Sequence, residues 1–270
     1  MGQYESMADV DWELRETGPA EAECTALLLP GGMCSAGSYA EVMAVPALGG
    51  IRLVAATLPG NAGAPPLDDY SIENYARVTT ELAKRVGADV VVGYSNGASV
   101  AFEMVVSGSF TGPVVLLGIS LSSKDESAFF RRLIQSGKVL GSTPTRVLAT
   151  VAGSMIKRTA LPDERKRELQ ADFRKNVPQD TMQALREYVS WLHRQERPAE
   201  RLCATGVPTW TVHAEKGDGG LTDDERATLE ACPNTHVVTI PGNAFFLPNE
   251  ESARVADVIV EAIGQTTSTG

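Results

Sequence analysis

Asp89-Val90-Val91-Val92-Gly93-Tyr94-Ser95-Asn96-Gly97-Ala98-Ser99-Val100-Ala101 joins a continuous apolar run to the start of an apolar-periodic helix, with a hydroxyl at the joint. The run 90–92 reads as a strand buried on both faces, because no polar residue marks a solvent side. Gly-Tyr-Ser-Asn-Gly then fits a nucleophile elbow, a sharp strand-to-helix turn that pushes the serine outward and leaves room only for glycine on either side. The helix opens at or near Ser95, so its free N–H groups and positive dipole end face whatever Ser95 faces. Taken alone, Gly-x-Ser-x-Gly also occurs in ordinary tight turns; the valine strand before it and the helix after it make the functional reading the stronger one.

Outward from this joint the same alternation repeats. Residues 24–29 form a second apolar run, ended by Pro30-Gly31-Gly32-Met33-Cys34-Ser35. Adjacent glycines after a buried strand let the backbone turn with its N–H groups open to a cavity, as an oxyanion-binding loop requires, although a plain glycine turn reads the same way. Residues 12–16 suit an edge strand, 37–48 carry helical spacing, and 51–57 give another strand. Ser71 is a good N-cap for a helix to about residue 85, and 113–119 is a further apolar strand. Strand and helix in alternation imply right-handed crossovers and a doubly wound, mostly parallel sheet, an α/β fold.

From about residue 122 to 205 helices follow without strands, over 126–135, 144–158, 162–175 and 178–194. Such a block between two strands of one sheet reads as an inserted helical cap, 122–205, on a core formed by 1–121 and 206–270. Its apolar faces are mostly packing surface. Among them Phe129, Phe130, Met155 and Trp191 are the candidates for lining an apolar pocket between cap and sheet. Strands at 208–213 and 235–240 and a helix over 250–263 complete the pattern.

The chain has 270 residues, 43% of them hydrophobic, enough for one large domain with its own core, and a formal net charge of −10. That charge disfavours nucleic acid and anionic membrane surfaces as partners. The cysteines at 24, 34, 203 and 232 show neither zinc-site spacing nor a dense disulfide framework, so a reducing, cytoplasmic setting is the default. The polar, acidic start is unlike a signal peptide, and no run reaches membrane-span length. No metal cluster or nucleotide-binding glycine pattern is present, so no cofactor and no metal are expected.

With Pro30-Gly31-Gly32, Gly93-Tyr94-Ser95-Asn96-Gly97 and the late strand followed by Glu215-Lys216-Gly217-Asp218-Gly219-Gly220 all in order, the chain resembles the α/β-hydrolase superfamily from about residue 24 onward, particularly its small capped esterase, thioesterase and natural-product tailoring branches. The resemblance implies a nucleophile at Ser95, an oxyanion hole from the N–H groups of Met33 and Asn96, and an acid at Asp218. Gly32, Tyr94 and Phe245 join the expected substrate pocket. The base breaks the pattern: after the last strand the chain reads Pro241-Gly242-Asn243-Ala244-Phe245-Phe246, with Phe245 where the family usually carries histidine. His236 begins that strand, about 15 Å from its C-terminal end at strand rise. His193 on a cap helix and His213 at a strand end are the remaining candidates for a base.

Serine is a poor nucleophile without a base, whereas an oxyanion hole stabilises an enolate as readily as a tetrahedral intermediate. Three readings follow. The first is elimination of a carboxylic acid such as acetate from an acylated natural-product intermediate, as in the tetronate-type members of the superfamily. The second is an esterase or thioesterase using His193 or His213, and the third is a non-catalytic relative that binds an apolar ligand or a protein partner. The expected substrate is a small apolar acyl or ester compound.

Overall fold

The computed structural model describes residues 10–126, 132–134, 136, 141–216 and 220–266. Seven strands form one sheet in the order β1-β3-β2-β4-β5-β6-β7. They are β1 (Leu14–Thr17), β2 (Thr25–Leu29), β3 (Arg52–Ala56), β4 (Val90–Tyr94), β5 (Val114–Leu117), β6 (Thr209–Lys216) and β7 (Thr235–Asn243). Only β1 runs antiparallel, pairing with β3 at the edge, and every other neighbour is parallel. β2, β4 and β5 are buried at every position, which is why they read as unbroken apolar runs.

Helices cover both faces. On one side lie α1 (Ala40–Met43) and the C-terminal helix α10 (Ser252–Thr266), whose Val255, Ala256 and Ile259 pack on Leu28, Val92 and Leu117. On the other lie α2 (Ile72–Val86) and α3 (Asn96–Val106), packed on Leu27, Val91 and Leu116. α2 has the ends its sequence forecasts: Ser71 Oγ accepts the Asn74 N–H at 3.2 Å, and Gly87 closes the helix at φ +67°.

Between β5 and β6 come α4 (Thr143–Arg158), α5 (Asp163–Arg174), α6 (Pro178–Arg194) and α7 (Pro198–Ala204). The helix expected over 126–135 lies mostly outside the described residues. The helix α7 was not expected from the sequence, and it packs against α3 and against α8 (Asp223–Glu230). This contact brings Cys203 and Cys232 together as a disulfide with Cα atoms 5.8 Å apart, a pairing across 29 residues that cysteine spacing did not reveal. The bridge removes the argument that drew a reducing setting from these cysteines. Among the described residues no helix is long and apolar enough to cross a membrane.

Parallel pairing aligns the strand ends that matter. Leu29 sits opposite Gly93, and Tyr94 opposite Leu117, so the segments after β2, β4 and β5 leave the sheet at one edge. The short helix α9 (Leu247–Glu250) follows β7 at that same edge.

Candidate active site

At the turn from β4 into α3, Ser95 has φ +50° and ψ −115°, a conformation that L-residues hold only under constraint, at about 1–3 kcal/mol. The constraint is the packing of two glycines. A Cβ on Gly93 would lie 2.3 Å from the Gly97 carbonyl oxygen, and one on Gly97 would lie 2.3 Å from the Leu29 carbonyl oxygen. α3 is thereby pressed against the end of β2, and the Ser95 N–H is tied to the Leu117 carbonyl at 2.8 Å. The Ser95 hydroxyl makes no capping bond to α3, and among the described residues it has no hydrogen bond.

The glycine loop after β2 runs beside this turn. A Cβ on Gly31 would sit 3.4 Å from Ser95 Cβ, and one on Gly32 would sit 3.7 Å from Asn96 Cβ. Here the structure corrects one expectation. The Met33 N–H donates to Asn61 Oδ1 at 2.7 Å, so it is not open to an oxyanion. Met33 turns through φ +67°, and its carbonyl accepts from Asn176 Nδ2 at 2.9 Å, which fixes the loop from two sides. Gly32 and Asn96 line the cavity beside Ser95, their N–H groups have no hydrogen bond among the described residues, and Asn96 adds the positive end of α3. The loss of the Met33 N–H depends on Asn61, 28 residues downstream, and local sequence carries no sign of it.

A cavity of about 690 Å³ opens over Ser95. Gly32, Met33, Asn61, Tyr94 and Asn96 line it beside the serine. One wall is mostly apolar: Leu148, Val151, Ala152 and Met155 of α4 line it together with Thr181, Ala184, Leu185 and Tyr188 of α6, each set at the i, i+3, i+4, i+7 spacing of a single helix face. The segment after β5 adds a polar part of the lining, Ser120, Lys124, Asp125 and Glu126.

Phe245 lines the same cavity as Ser95 and is 36% exposed. Its carbonyl accepts the Tyr94 hydroxyl, and its N–H donates to Glu250 Oε1 of α9 at 2.9 Å, so the backbone of Phe245 is held on both sides.

None of the three histidines lines this cavity. His213 is buried on β6 with Nε2 2.8 Å from the Ile119 carbonyl, and burial holds it below its ordinary pKa. It is a neutral donor to the backbone, and its Nδ1 is buried without a partner. His193 is exposed on α6, with Nδ1 2.7 Å from the Val189 carbonyl, about one and a half turns beyond Tyr188, where the helix last touches the cavity. His236 is exposed at the far end of β7, stacked on Trp210.

Trp191 does not line the cavity either. It is fully buried against Phe102 of α3, with Nε1 donating to Glu103 at 3.2 Å, and so belongs to the core beneath α6. Sequence periodicity separates the apolar face of α6 from its polar face, but not the half that packs from the half that borders a void. Asp218, Phe129 and Phe130 lie outside the described residues.

Two carboxyl groups went unnoticed in the sequence. Asp125 Oδ2 accepts the N–H groups of Leu121 and Ser122, each at 2.8 Å, while Glu126 Oε1 accepts from Ser120 Oγ at 2.9 Å and Tyr188 Oη at 2.7 Å. The run Ser122-Ser123-Lys124-Asp125-Glu126 reads as the polar start of a helix, and only the fold brings Lys124, Asp125 and Glu126 into the same cavity lining as Ser95.

A family model described as alpha/beta hydrolase family matches residues 26–258. The chain belongs to the alpha/beta hydrolase family. Solved structures share its fold at low identity. A thermophilic esterase from Thermogutta terrifontis is 17% identical with a TM-score of 0.72, over 95% of this chain and 94% of that one. A hydrolase from Oleispira antarctica is 16% identical with a TM-score of 0.70, over 93% and 94%. A thioesterase domain from the curacin biosynthetic pathway is 19% identical with a TM-score of 0.68, over 92% and 94%. Comparison of the sequence with curated proteins finds no match.

Proposed function

We propose that this alpha/beta hydrolase family member acts on a small apolar acyl or ester compound and releases a carboxylic acid by elimination, without transferring an acyl group to water. In this reading the helices between β5 and β6 act as a cap, and the apolar face shared by α4 and α6 takes the hydrocarbon part of the substrate. A carbonyl oxygen is held by the Gly32 and Asn96 N–H groups. Removal of a proton from the carbon next to that carbonyl forms an enolate, whose negative oxygen those donors stabilise. As the carbonyl re-forms, the bond from the β-carbon to the acyloxy oxygen breaks and its electron pair leaves with the carboxylate. The products are an alkene and a carboxylic acid, and no water is consumed.

The observation that carries this reading is the replacement of the expected histidine by Phe245 in a cavity that still has its open N–H donors. A phenyl ring takes no proton, and an imidazole in place contributes several orders of magnitude to serine nucleophilicity. The net charge of −10 further supports a small-molecule ligand over a polyanionic one.

A second reading, hydrolysis of an ester or thioester through Ser95, is favoured by the constrained φ of that residue and its uncommitted hydroxyl. Intact-mass analysis after treatment with a fluorophosphonate, which labels serines activated by a base, separates the two. Slow or absent labelling of Ser95 is expected. Rapid labelling, lost in Ser95→Ala and again in one of the three His→Ala variants, would replace elimination with hydrolysis.

A further inference from the structure

Met33 holds a backbone conformation that suits glycine. The Cys34 N–H donates to the Gly31 carbonyl at 3.1 Å across a tight turn. The first central residue of that turn, Gly32, stays outside the positive-φ region, and the second, Met33, has φ +67°. This is the pattern of a type II turn, whose second central position favours glycine. With a side chain there the type I turn is the relaxed form, reached by rotating the Gly32–Met33 peptide by about 180°.

Two asparagines oppose that rotation. Asn61 Oδ1 accepts the Met33 N–H at 2.7 Å, while its Nδ2 donates to the carbonyls of Leu58 and Pro59, each at 3.2 Å. Asn176, in the link between α5 and α6, donates from Nδ2 to the Met33 carbonyl and accepts the Ala62 N–H on Oδ1, both at 2.9 Å. Met33, Asn61, Ala62 and Asn176 close a ring of hydrogen bonds, in which neither side-chain amide can turn over without setting oxygen against oxygen and N–H against N–H. Asn61 depends on Asn176 as well, because the next residue, Ala62, is itself held at φ +48° by its bond to Asn176. The link arrives already fixed: Arg165 of α5 donates to Glu41 Oε1 at 2.6 Å and to the Gly37 carbonyl, and Asp172 accepts the Ser35 hydroxyl.

We propose that Asn176 is the positioning residue of the oxyanion loop, a side chain from the helical block that holds the Gly32–Met33 peptide in its type II orientation. This role rests on the reading of Gly32 and Asn96 as the donors to the substrate carbonyl. Without Asn176 the turn relaxes, and the Gly32 carbonyl comes round to the side that the Met33 N–H occupies now, beside Asn61. Gly32, Met33 and Asn61 all line the cavity with Ser95, so an oxygen that gains negative charge would meet the negative end of a carbonyl dipole there.

The test uses the full chain and β-acetoxypropiophenone, which yields phenyl vinyl ketone by elimination or the β-hydroxy ketone by hydrolysis, with acetate in either case. Asn176→Ala is expected to lower kcat about tenfold or more, with KM little changed. Asn176→Asp keeps the acceptor for Ala62, loses the donor to Met33 and should show the same split. Met33→Gly supplies the residue that the turn prefers, so adding Asn176→Ala to Met33→Gly should lower kcat by less than about threefold. Arg165→Gln removes an anchor of α5 without touching Met33, and should lower Tm while leaving kcat close to wild type. Hydrogen exchange of segments 31–35 and 58–64, read without substrate, should quicken in Asn176→Ala. Unchanged kcat or unchanged exchange in Asn176→Ala, an equal kcat loss with and without Met33→Gly, or the same loss in Arg165→Gln overturns the role. Acetate released with the β-hydroxy ketone, in the same pattern among the variants, leaves Asn176 as the positioning residue and overturns elimination. Acetate release no faster than in buffer overturns both.

Discussion

Replacing Gly97 with alanine tests whether the elbow is held by direct packing. The added Cβ would lie 2.3 Å from the Leu29 carbonyl oxygen and 2.6 Å from the Pro30 carbonyl oxygen. Ordinary contact begins at roughly 3.5 Å, so the first turn of α3 must move away from β2 by about 1 Å. Both obstacles are backbone atoms of a buried strand end, and they cannot rotate aside. Overpacking of this kind costs about 1–3 kcal/mol. For a chain of this size that is a fall in Tm of roughly 2–4 °C per kcal/mol. The same shift widens the gap between the Asn96 N–H on α3 and the Gly32 N–H beyond β2, and a misplacement of about 1 Å at a site costs on the order of a hundredfold in rate. Thermal unfolding by circular dichroism and kcat on β-acetoxypropiophenone read the two effects. A Gly97→Ala variant with unchanged Tm and unchanged kcat would refute the claim that this glycine sets the spacing of the two donors.

Three further outcomes follow from the structure. Trp191→Ala should destabilise the fold by about 3–5 kcal/mol in urea titration, because it empties a fully buried site between α6 and α3; a loss below 1 kcal/mol would contradict its place in the core. Phe245→His should confer fluorophosphonate labelling on Ser95, since both residues line one cavity; unchanged labelling would mean that the turn after β7 does not present its side chain to the serine. His213 is buried and neutral, with its folded-state pKa lowered, so the unfolded chain takes up a proton below its ordinary value while the folded chain does not. Stability should therefore fall as pH drops below about 6.5, by at most about 1.4 kcal/mol per pH unit from this group. His213→Gln should show a shallower loss in urea titrations between neutral and mildly acidic pH, and parallel slopes would remove the assignment.

The sequence revealed the fold where one stretch of chain satisfies its own constraints. The valines of β4, Gly93 before Ser95 and the Ser71 cap of α2 each act within a few residues, and each is where it was read. What could not be read depends on distant partners. The Met33 N–H is withdrawn from the cavity because Asn61, 28 residues downstream, takes it. Asn176 meets Met33 and Ala62 only once α5 packs on the segment after β2, and Cys203 meets Cys232 only through the packing of α7 on α8. The edge of α6 that meets the void rather than the core was equally hidden, so Trp191 was a pocket candidate although the cavity is lined by Ala184, Leu185 and Tyr188 of that helix instead. The most informative signal in the sequence was a mismatch, Phe245, and the structure puts that residue in the same cavity as Ser95.

The most direct test of the central claim is the product formed from β-acetoxypropiophenone in water enriched in heavy oxygen. Elimination predicts phenyl vinyl ketone and acetate that carries no label beyond the uncatalysed background. Labelled acetate together with the β-hydroxy ketone, formed in a reaction abolished by Ser95→Ala, would contradict it and make this chain a hydrolase acting through Ser95.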